Sequence, residues 1–133
     1  MRNRLQKLSV IFLFLMLLST ITLAQIPLQP TGSGTEADPY LISSLNKLYW
    51  VAYQNNTNGN TFNGKYFKQT ADIDASTTST WFDDGEDGYY GWEPIGTESI
   101  PFGGSYDGNN YKITDLYINR PSQEYIGLIF IGC

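Results

Sequence analysis

The chain has 133 residues, a formal net charge of −5, no histidine, and one cysteine, Cys133. This excludes imidazole acid-base chemistry, Ser-His-Asp and Cys-His triads, Cys/His zinc sites and a disulfide scaffold, and the acidity argues against a nucleic-acid partner. Ten tyrosines, seven phenylalanines, three tryptophans and 13 glycines, with only 16% charged residues, describe an ordered β-rich chain.

Arg2, Arg4 and Lys7 precede the apolar run Val10 to Leu18, and Thr22-Leu23-Ala24 supplies small residues at a cleavage point. That order is the layout of a secretory signal over residues 1–24. The apolar run stops short of the roughly 20 residues that a bilayer span needs, so no membrane span is expected after cleavage. Removing Arg2, Arg4 and Lys7 with the signal takes the net charge from −5 to −8 and leaves 109 residues, enough for one small domain.

Residues 25–38 are rich in Pro, Gly, Thr and Ser and read as a flexible leader that tightens into a turn at Gly32-Ser33-Gly34. Tyr40-Leu41-Ile42 reads as a short strand. Ser43 or Ser44 then caps a helix of about three turns, with Leu45, Leu48, Tyr49 and Ala52 on one face. The Asn55–Asn60 tract ends it, because Asn and Gly tolerate left-handed backbone. Asn55-Asn56-Thr57 also matches a glycosylation sequon, read as accidental.

From Tyr66 to Ala75 the residues alternate, placing Phe67, Ala71, Ile73 and Ala75 on one face of a strand in which Gln69 is the misfit. Asp72 and Asp74 share the other face and read as acceptors of turn N–H groups. Further on, Asp107-Gly108-Asn109-Asn110 is a strong turn signal, and the spacing of Tyr111, Ile113, Leu116 and Ile118 slips phase, which requires a bulge or a corner. Phe62-x-Gly64-x-Tyr66 with Ile73 recurs forty positions later as Phe102-x-Gly104-x-Tyr106 with Ile113, a weak internal repeat.

The segments Gly32 to Ile42, Ala71 to Asp74, Trp92 to Gly96 and Phe102 to Ile113 together resemble the opening of GLUG-repeat proteins, which are exported bacterial proteins. The resemblance covers roughly residues 32–128. It implies an all-β fold, a right-handed parallel β-helix (solenoid) over residues 39–133, incomplete at its C-terminal end, with one short N-terminal capping α-helix. It also implies a secreted or cell-surface location, and it does not imply any catalytic residue.

The loop between Ser76 and Tyr90 is the candidate site. Trp81, Tyr89 and Tyr90 are its freer aromatics, Trp92 being assigned to the core, and Asp83, Asp84 and Asp87 are its carboxylates. Flat rings stack on sugar faces while carboxylates accept hydroxyl hydrogen bonds, so the expected partner is an extracellular glycan or a protein. Calcium is the secondary candidate ligand, although the spacing is not that of an EF-hand. The expected function is non-catalytic adhesion or binding at the cell exterior. A fragment of a carbohydrate-active enzyme working through two carboxylates, and a truncated product with no independent function, are the alternatives. Tyr125 to Ile131 is apolar and uncharged, an uncapped edge suited to self-association.

Overall fold

The computed structural model describes residues 25–132, so the signal-peptide reading and Cys133 lie outside the described residues. In chain order it contains β1 (Tyr40–Ile42), α1 (Leu45–Asn56), β2 (Tyr66–Gln69), β3 (Ile73–Asp74), a 3₁₀ turn (Ser76–Thr80), β4 (Ser105–Asp107) and β5 (Ile113–Thr114). β1, β2 and β4 form a three-stranded sheet in that order, β3 and β5 a two-stranded one, and every pairing is parallel.

The segment before β1 closes into a turn. Ser33 N–H donates to the Asp38 carboxylate at 2.9 Å, and Leu41 N–H donates to Thr31 O at 2.9 Å. Gly32 has φ +104°, and a Cβ there would collide with the Pro39 carbonyl, so this turn requires glycine.

Ser44 is the N-cap of α1, its hydroxyl accepting Lys47 N–H at 3.4 Å, as Ser is suited to do. The helix buries Leu45, Leu48, Val51, Ala52 and Asn55, so Val51 rather than Tyr49 completes the apolar stripe. Asn55 is fully buried and its Nδ2 donates to Asn60 O at 2.8 Å, so the sequon asparagine faces the interior. Asn56 does the work of a missing strand: its Nδ2 donates to Pro94 O at 2.8 Å and its Oδ1 accepts Gly96 N–H at 2.9 Å.

The alternating run from Tyr66 to Ala75 is two strands, not one, because the chain turns a corner between Gln69 and Ile73 into the second sheet. Gln69 points inward and is 1% exposed. Its Nε2 donates to Ala71 O at 2.9 Å and Lys112 O at 3.0 Å, so the misfit of the strand pattern is a satisfied polar pin. The expected turn at 107–110 is likewise a corner, with Asn109 and Asn110 at φ +50° and +63°. Asp72 and Asp74 do accept N–H groups, from Lys112 and Ser76, both at 2.8 Å.

The β-helix expectation is corrected. A solenoid repeats one rung at one spacing, whereas here Tyr40 pairs with Phe67, Phe67 with Tyr106 and Ile73 with Ile113, offsets of 27, 39 and 40 residues. The strands are two to four residues long, and among the described residues the two small parallel sheets neither close nor continue as a solenoid sheet. The internal repeat also shifts by one in the first sheet, where Tyr66 pairs with Ser105 and not with Tyr106. The core draws Ile42, Leu48, Val51, Phe67, Ile73, Trp92, Ile95 and Phe102 from both sheets, α1 and the segment before β4. Leu128 to Phe130 is used rather than free: Ile95 pairs parallel with Ile129, and Phe102 N–H donates to Phe130 O at 2.9 Å.

Candidate functional site

The loop from Trp81 to Trp92 is a tied hairpin-like excursion. Tyr90 N–H donates to Phe82 O at 2.8 Å, Gly91 N–H to Trp81 O at 2.9 Å and Asp84 N–H to Gly88 O at 3.1 Å, while Asp83 pairs antiparallel with Tyr89. Its base is anchored through Thr78, a buried side chain whose Oγ1 donates to Ala75 O at 2.6 Å and accepts Tyr117 N–H at 2.9 Å. Gly91 sits at φ +73° directly against the Tyr117 carbonyl, where a side chain would not fit.

Trp81 is the first correction within the site. It is 7% exposed, with its ring 5.1 Å from Tyr49 and 6.0 Å from Trp92, so it belongs to the core and not to a ligand surface. The helix supplies the Tyr49 ring, a partner that loop sequence cannot reveal. Tyr89 and Tyr90 are 37% and 39% exposed and remain at the surface.

The carboxylates also divide. Asp83 Oδ1 accepts Gly85 N–H at 2.8 Å, and Asp84 Oδ1 accepts Glu86 and Gly88 N–H at 2.9 and 3.1 Å, so both shape the turn. Asp87 is exposed. For the secondary calcium candidate, no three Asp, Glu, His or Cys side chains come together among the described residues. Hard-cation sites need convergent oxygens, and here two of the acids are turned back onto their own backbone amides.

Sequence reasoning missed Arg120. Its guanidinium carbon lies 5.5 Å from the Phe82 ring centroid and 5.4 Å from that of Tyr90, and its Nε and Nη2 donate to Trp92 O and Gly91 O at 3.0 and 3.3 Å. Burial lowers its pKa from the ordinary guanidinium value, and Glu93 and the Tyr90 phenol oppose that. The cation therefore fastens the loop to the segment after β5 and holds the Tyr90 ring in place. Nothing in the local pattern around Arg120 announces this, because its partners lie about thirty positions earlier.

The arrangement presents two consecutive tyrosines and an exposed carboxylate on a tied loop. That geometry can stack and accept hydrogen bonds. Two known proteins are similar to this chain over a small part of their own length. A protein named as a Gly-rich membrane protein from Evansella cellulosilytica is 37% identical over 97 residues, 73% of this chain and 10% of its own length. The halomucin of Haloquadratum walsbyi is 35% identical over 106 residues, 76% of this chain and 1% of its own length. The chain thus spans about a tenth and about a hundredth of these curated relatives. No family model and no solved structure matches it. Among the described residues no helix is long and apolar enough to cross a membrane.

Proposed function

We propose that this chain is a surface or secreted binding module that acts without catalysis and contacts an extracellular glycan or protein through its Tyr89–Tyr90 loop. The observation carrying this reading is that Tyr89 and Tyr90 remain more than a third exposed although backbone pairing and Arg120 hold the loop in one shape. A held, exposed ring loses little conformational entropy on binding, and this makes tyrosine an effective contact residue. Asp87, exposed on the same loop, adds an acceptor. The names of the two relatives, a membrane protein and a halomucin, support an exterior location.

A glycan array, followed by titration calorimetry on any hit, tests the proposal. Binding should weaken roughly thirtyfold in Tyr90→Ala, as for the loss of one anchoring aromatic. It should persist in Glu36→Gln, remote from the loop in sequence. A blank array together with no capture of extracellular protein, or binding that survives Tyr89→Ala combined with Tyr90→Ala, would overturn it.

A further inference from the structure

The two edges of the three-stranded sheet are finished differently. At β1 the outward Leu41 N–H is taken by Thr31 O at 2.9 Å, and α1 lies alongside, with the Trp50 ring 5.7 Å from Tyr40. At β4 no further strand follows among the described residues. Ser105 N–H donates inward to Lys65 O at 2.8 Å, and successive residues of a parallel strand face opposite sides. The N–H and C=O of Tyr106 therefore point outward, as an open template for another strand. On this strand Tyr106 packs against the core and stays half-buried.

We infer that the β4 edge is a self-association surface on which a second copy of this chain pairs antiparallel about a two-fold axis at Tyr106. The edge sequence selects this occupant. With Tyr106 opposite its counterpart, the two residues exchange both backbone hydrogen bonds, and exposed Ser105 falls opposite exposed Asp107 on each side of the axis. A hydroxyl donor then meets a carboxylate acceptor twice. One Asp107 oxygen is engaged by Asn109 N–H at 2.8 Å, and the other oxygen remains for that serine. A register centred on Asp107 would instead oppose like charges, which is unfavourable. Because the β1 edge is closed, a head-to-tail array is blocked and assembly stops at two copies. This deepens the expected self-association but moves it from residues 125–131 to β4, and it does not depend on the Tyr89–Tyr90 reading.

Sedimentation equilibrium of the full chain, expressed with its own N-terminus in an exporting host and purified in the form that accumulates, tests this across micromolar to submillimolar concentration. The expected species are monomer and dimer. Ser105→Asp sets carboxylates opposite each other and should weaken the dimer roughly tenfold, whereas Ser105→Lys sets an ammonium opposite Asp107 and should tighten it by a similar factor. Both substitutions sit at an exposed position, so the far-ultraviolet spectrum of each should match the parent. A monomer throughout, growth beyond two copies, or equal responses to the two substitutions would overturn the inference.

Discussion

The Tyr106 hydroxyl donates to the Gln69 carboxamide Oε1 at 3.2 Å, joining β4 to the strand beneath it through a side chain that is 1% exposed. With the two bonds from Gln69 Nε2 and that from Asn109 Nδ2 to the Gln69 carbonyl at 3.3 Å, one residue ties both corners together. Replacing Gln69 with leucine keeps the volume but strands the Ala71 carbonyl and the Tyr106 hydroxyl, while the Lys112 carbonyl keeps the Ile73 N–H at 2.8 Å. Gln69→Leu should cost about 2–3 kcal/mol in denaturant unfolding, although the substitution is apolar. A neutral or stabilising result would show that these bonds contribute no net energy.

Asn56 offers a second test. Pro94 and Gly96, the backbone partners of its side chain, are both buried, so Asn56→Ala leaves a donor and an acceptor unpaired. A loss of about 2 kcal/mol is expected. Asn56→Asp keeps the acceptor for Gly96 N–H but turns a carboxylate toward the Pro94 carbonyl, and should rescue little of it. Equilibrium unfolding followed by tryptophan emission measures both.

The C-terminal segment should prove structural. Trp92 Nε1 and Ile95 N–H both donate to Leu128 O, at 3.3 and 2.9 Å, and Phe102 N–H donates to Phe130 O. Deleting residues 125–133 removes these acceptors. The truncated chain should be less stable and its tryptophan emission red-shifted, with Trp92 no longer enclosed. Unchanged emission and an unchanged melt would show that the segment is dispensable.

Three groups make stability depend on pH, two at the alkaline end and one at the acid end. Burial raises the Tyr106 phenol well above the ordinary tyrosine value of 10.0, and Tyr49 is raised in the same direction by burial first, then Glu93 and Tyr53. Raised groups are favoured protonated in the fold, so their stabilisation is whole below pH 10.0 and is lost as pH climbs above it. Asp74 shifts the other way: the Ser76 hydroxyl and then the Ser76 amide hold it below 3.8, so its contribution is present above that pH and lost as pH falls through the lowered value. Urea midpoints against pH should therefore decline at both extremes. Tyr106→Phe should flatten the alkaline limb in part, Tyr49 supplying the rest, and Asp74→Asn should flatten the acid limb.

Gly91→Ala should disrupt the loop more than its exposed neighbours do, because the new methyl meets the Tyr117 carbonyl at φ +73°. A cost of about 2 kcal/mol or more is expected, against about 0.5 kcal/mol for Glu86→Ala at the tip. Thermal melts of the two variants check the contrast.

The helix and its Ser44 cap, the polar stop after Asn55, the break in phase near Ile113 and the burial of Trp92 were legible in the chain. All of them rest on local spacing or on the backbone preference of single residues. The forty-residue repeat did announce the pairing of Ile73 with Ile113, but the offsets of 27 and 39, the inward turn of Gln69, the burial of Trp81 and the stacking of Arg120 were not legible. Each depends on a partner some 27 to 43 positions away. A two- to four-residue strand carries too short a pattern to specify its neighbour, and one residue added at a corner changes the offset from 39 to 40. Hydrophobic alternation can say that Trp81 is apolar and near a turn. Whether its ring meets solvent or the Tyr49 ring is set by where α1 lies across the sheet, and that follows from the packing of the whole core.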